Sequence, residues 1–97
     1  MISNQILQNT IDGVKGITKI DLSVVDADGN VLAETAGDSE DYCATVKTFA
    51  DSPADSQAIL GYQFFKVYDE SQLEYIVVAK GEAEDVYMIG KIVISCL

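Results

Sequence analysis

The chain has no histidine, no arginine and no tryptophan, and its only cationic side chains are six lysines. Histidine is the usual proton carrier near neutral pH, and arginine the usual fork for a carboxylate or phosphate. Their absence excludes triad hydrolysis, histidine-based metal catalysis and arginine clamps. Sixteen aspartates and glutamates leave a formal charge of −10. Holding a phosphate backbone takes clustered cations, so direct nucleic-acid contact is excluded too. No run reaches the roughly 18 to 20 apolar residues of a membrane helix. The stretch from Met1 to Gly16 has neither a cationic start nor a small-residue cleavage site. It does not read as a signal peptide, and the expected location is the cytoplasm, away from any membrane.

Cysteine is also scarce. Cys43 and Cys96 lie far apart with no CxxC pattern, and two thiols without histidine do not complete a zinc site. They read as ordinary buried thiols in a reducing compartment. No metal and no cofactor is expected. What is present suits one domain over residues 1–97: a hydrophobic share of 48% can fill a modest core.

Ser3 or Asn4 can cap a first helix carrying Ile6, Leu7, Ile11 and Val14, and Gly16 is placed to end it. Ile20 to Val24 alternates apolar and polar, the mark of a half-buried strand. Asp28-Gly29 then signals a hairpin, with Val31 to Thr35 as its second strand. Gly37-Asp38-Ser39 opens a second helix, with Tyr42, Val46, Phe49 and Ala50 on its buried stripe. It must stop near Ser52, ahead of Pro53. Gly61 divides a short strand from a stronger one, Tyr62 to Tyr68. Leu73 to Ala79 is apolar on both faces and reads as a central strand. Glu82, Glu84 and Asp85 suit the positive end of a third helix, whose stripe is Val86, Ile89, Val93, Cys96 and Leu97. Its apolar finish predicts a chain cut within a helix that leads to further domains.

This order, α-β-β-α-β-β-β-α, predicts an α+β domain. Its expected core is a PAS- or profilin-like antiparallel sheet of four or five strands, with helices at both termini and one between the hairpins.

Few segments carry chemistry. Asp26 to Asn30 looks like the start of a calcium loop, but the sixth and twelfth positions hold Val31 and Gly37 where glycine and glutamate are needed. Ser52 to Gln57 gathers hydroxyl, carboxylate and amide groups in one connecting loop, where ligand contacts tend to lie. The same residues also make an ordinary helix stop and turn. Tyr62, Phe64, Lys66 and Tyr68 share one strand face. They can line a pocket for a small anionic molecule or form core with a snorkelling lysine. The acids are dispersed and the serines lack a neighbouring base, so no enzyme is expected.

Several stretches together resemble one protein group. They are Met1 to Gly16 with Asp21 to Asp26, then Asp51 to Gln57, Gly61 to Val67 and Asp85 to Lys91. They are similar to the N-terminal domains of bacterial transcription regulators of the sugar-diacid and purine-catabolism type, over nearly the whole chain. The resemblance implies a sensory domain controlling a distant helix-turn-helix domain that is absent here. It implies a small anionic metabolite as ligand; with no arginine available to grip a dicarboxylate, Lys66, Lys80 and backbone amides would have to suffice. Ser52, Asp55, Ser56, Gln57, Tyr62 and Lys66 are the candidate ligand residues, placed between the sheet and the end of the second helix. A homodimer through the terminal helices is expected. The alternative is a roadblock-type dimerisation or scaffold module without a small ligand.

Overall fold

Ser3 opens the first helix, its hydroxyl oxygen accepting the Ile6 N–H at 3.2 Å. The computed structural model describes residues 3–97; Met1 and Ile2, which begin the first of the likened stretches, lie outside them. Helix α1 (Asn4–Thr18) buries Leu7 and Ile11 and leaves Ile6 outside. It runs past Gly16, and Lys19 takes the left-handed closing position at φ 65°. The Lys19 N–H still reaches the Lys15 carbonyl at 2.8 Å, which satisfies an end carbonyl without a glycine.

Strands β1 (Leu22–Val25) and β2 (Val31–Glu34) pair antiparallel, with a register shift at Val24/Val25. Their connection is built on Asp26 and not on a two-residue turn. The Asp26 carboxylate accepts from the N–H groups of Asp28 and Asn30, each at 2.9 Å, and from the Asn30 amide at 3.0 Å. Gly29 alone has a positive φ there, 90°. β1 is buried at all four residues, so the half-buried expectation was too shallow: other elements cover both of its faces.

A turn of 3-10 helix (Ser39–Asp41) precedes helix α2 (Cys43–Asp51), which buries Val46 and Phe49. Tyr42 sits between the two at φ −134°, so the second helix begins later than Gly37-Asp38-Ser39 suggested. Strands β3 (Ser56–Ile59), β4 (Tyr62–Asp69) and β5 (Gln72–Lys80) form an antiparallel meander. Helix α3 (Glu84–Ser95) closes the order and buries Val86, Gly90 and Val93.

The fold is therefore α+β, and its helices and strands follow the order read from the sequence. The five strands form one sheet in the order β2-β1-β5-β4-β3. β5 is central, as its two apolar faces require. One face of the sheet packs Leu22, Val24, Phe65, Val77 and Ala79 against Leu7 and Ile11 of α1 and Val86 and Val93 of α3. The other packs Val25, Phe64, Ile76 and Val78 against Tyr42, Val46 and Phe49. Gly90 lets α3 approach the sheet, because a Cβ there would run into the Phe65 ring. Both cysteines are exposed, which corrects the expectation of buried thiols: each lies on the outer side of its helix end.

Candidate ligand site

Period-two alternation sends Tyr62, Phe64 and Lys66 of β4 toward α2, and Gln63 and Phe65 toward α3. The α2 face is apolar at its centre and polar at two places, and these hold the six residues singled out from the sequence.

The first place is the end of α2. The Lys66 ammonium donates to the Ser52 carbonyl and lies 5.0 Å from the centre of the Phe49 ring. Lys66 is 93% buried, at 7% exposure, so it acts as a tie between β4 and the helix end. The Lys66 N–H also donates to the Asp55 carbonyl at 2.9 Å. Ser56 and Gln57 pair with Phe65 and Phe64 in the ladder. The structure thus gathers Ser52, Asp55, Ser56, Gln57 and Lys66 at one sheet edge, with main-chain groups making most of the contacts. Tyr62 is not with them.

Tyr62 belongs to a second cluster, near the opposite end of β4. Its hydroxyl donates to the Asp38 carboxylate at 2.8 Å, with Asp41 at 3.5 Å. Lys80, its cross-strand partner on β5, places its ammonium 3.4 Å from the same Asp38 oxygen. Beside them the Tyr42 hydroxyl donates to Ser23 Oγ at 2.7 Å in a buried bond, and the two tyrosine rings lie 5.0 Å apart at their centres. Asp21 completes the rim, held by Lys15 at 2.8 Å and by the Thr35 hydroxyl at 2.9 Å. Between these groups is a cavity of about 10 Å³, bounded by Asp21, Ser23, Ala36, Asp38, Tyr62 and Lys80 among others. That is close to the least space one water needs.

The electrostatics follow from this packing. Burial pushes the Tyr62 phenol well above its usual range, and its hydrogen bond to Asp38 adds to the effect. Burial likewise raises Tyr42, with the Ser23 bond acting against it. Both phenols therefore stay protonated and serve as donors. The Lys15 ammonium holds the Asp21 carboxyl below its usual value against the opposing effect of burial. Chemically, this is a pair of donors, Tyr62 and Lys80, closed over by a carboxylate from its own chain, beside a Tyr42 hydroxyl already bonded to Ser23. Among the described residues no group of three or more histidines, cysteines or acids is placed to hold a metal ion.

Lys80 was weighed from the sequence as a cation for the ligand, whereas Asp21, Ser23, Asp38 and Tyr42 were not singled out as ligand groups. Ser23 offered a signal, a hydroxyl inside an otherwise apolar strand. The others meet only through the pairing of β4 with β5 and the return of residues 36–42 across the sheet. No family model, no curated protein and no solved structure matches the chain.

Proposed function

We propose that this chain is a cytoplasmic sensory domain for a small carboxylate metabolite, acting in a transcription regulator of the sugar-diacid type that it resembles. The observation that carries the reading is the seat of Asp38. Its carboxylate takes the Tyr62 hydroxyl and the Lys80 ammonium together, the two contacts a ligand carboxylate would seek. Asp38 is thus an internal stand-in for the ligand. An incoming carboxylate replaces it and lifts residues 36–41 off the sheet, taking Asp41 with them. The donors left behind are Tyr62 and Lys80, while Tyr42 stays bonded to Ser23 and Asp21 is already neutralised by Lys15. Displacement of this segment, which leads directly into α2, is the signal passed to the rest of a regulator. Binding without turnover suits the site, because Ser23 Oγ is bonded to a phenol and not to a base. No helix among the described residues is long and apolar enough to cross a membrane.

The test is a thermal-shift screen with six-carbon sugar diacids, tartrate, hydroxy acids and purine-breakdown acids. A ligand at about a hundred times its dissociation constant stabilises by about 2.7 kcal/mol. That raises the melting temperature of a domain this size by on the order of 10 °C. Tyr62→Phe and Lys80→Met are expected to abolish the shift. No shift with any compound, or a shift untouched by both changes, would sink the proposal.

A further inference from the structure

The two edges of the sheet are finished differently. At the β2 edge, Gln8 of α1 donates its amide N–H to the Glu34 carbonyl at 2.8 Å and accepts the Glu34 N–H at 3.1 Å. A side chain there takes the place of a neighbouring strand. The β3 edge has no such cover. The Lys66 N–H donates to the Asp55 carbonyl, and antiparallel pairs alternate between bonded and unbonded. Asp55, Gln57 and Ile59 therefore turn their peptide groups toward β4, and Ser56 and Ala58 turn theirs outward. Among the described residues those outward groups have no hydrogen-bond partner.

β3 also lacks the usual protection of an edge strand, which is a lysine, a proline or a bulge. Ser56-Gln57-Ala58-Ile59 is uncharged, and its pairing with β4 is regular. A trough of about 260 Å³ runs beside it, lined by Ser56, Gln57, Ala58, Gln63, Phe65 and Tyr87 among others. At the strand's end Leu60 is 79% exposed and held at φ 52°, a conformation that non-glycine residues seldom adopt.

We propose that β3 is the seam of a homodimer, two copies joining edge to edge so that their five-stranded sheets become one continuous antiparallel sheet. Charge selects a second copy as the occupant. From Ser56 to Val67 the only charged side chain is the buried Lys66, in a chain of net charge −10. Two copies meet here without opposing like charges, whereas a cationic peptide finds nothing on this strand to prefer over the acidic faces. The edge is also self-complementary. With a two-fold axis at Gln57, Ser56 of each copy faces Ala58 of the other and exchanges both N–H···O bonds. The same register sets Leu60 opposite Ala54, which covers the exposed leucine.

Analytical ultracentrifugation with hydrogen exchange tests this. The expected particle has twice the 10.5 kDa chain mass. Raising the concentration is expected to slow exchange at the Ser56 and Ala58 amides while Gln57 and Ile59, already bonded to β4, stay unchanged. Gln57→Glu sets two carboxylates against each other across the axis, and Ala58→Pro removes an outward donor. Each is expected to leave a folded 10.5 kDa monomer. If the proline variant fails to fold, the substitution at exposed Gln57 alone decides. A wild-type monomer at millimolar concentration overturns the proposal. A dimer that survives the Gln57 substitution also overturns it, as a pair joined through α1 and α3 would survive.

Discussion

Asp26 shows how much one side chain can organise. Burial disfavours its charge, yet the N–H groups of Asn30, Asp28 and Gly29 and the Asn30 amide together hold its carboxyl below the usual carboxylate value. A carboxyl whose folded pKa lies below its unfolded value of about 3.9 contributes stability that is fully present above that pH. The contribution is lost as pH falls through the folded value. Asp21 is lowered as well and adds in the same sense. Melting followed from pH 6 downward should therefore show wild type losing stability below about pH 4. Asp26→Ala should cost about 1–2 kcal/mol at neutral pH, and its deficit should shrink in acid. A deficit that stayed constant with pH would show that the loop depends on shape and not on the carboxylate's charge.

At the scale of elements, α3 rests on the sheet through Gly90 and the Phe65 ring. Alanine at position 90 gains about 0.5–1 kcal/mol in helix propensity but meets that ring. Overpacking of this kind costs about 1–3 kcal/mol, so Gly90→Ala should lower stability in a denaturant melt. An unchanged or raised midpoint would show that the ring moves aside freely. The helices and the central strand were legible in the sequence, because stripes such as Val46 with Phe49 and the two-faced apolar run of β5 are local. The turns were less so. Asp28-Gly29 carried the familiar signal, yet the positive-φ pairs are Leu60-Gly61 and Glu70-Ser71. There the strands on either side impose the turn, since β3 with β4 pairs over four positions and β4 with β5 over eight. The candidate site was legible only in part. Tyr62 was found from its strand face, but its meeting with Lys80 and Asp38 is set by register and by a chain return that no local pattern encodes.

The whole molecule carries a charge of −10 against two ion pairs among the described residues, Lys15–Asp21 and Lys80–Asp38. Self-repulsion therefore outweighs what salt would screen away from those pairs, which as partly exposed pairs are worth about 0–1 kcal/mol each. Raising ionic strength from about 0.01 to 0.15 M, which shortens the Debye length from about 30 to 8 Å, should raise the melting temperature. A fall would mean that the ion pairs dominate. This acidity also bears on the sensing claim, because an anionic ligand approaches a repulsive surface and the local donors must overcome it. Removing the internal carboxylate isolates that competition. Calorimetric titration of wild type and Asp38→Ala with the carboxylate that gives the largest thermal shift is the most direct measurement. Tighter binding by the variant is the expected result, since a competitor that occupies the donors lowers apparent affinity. Equal or weaker binding by Asp38→Ala would contradict the account that Asp38 holds the ligand's place.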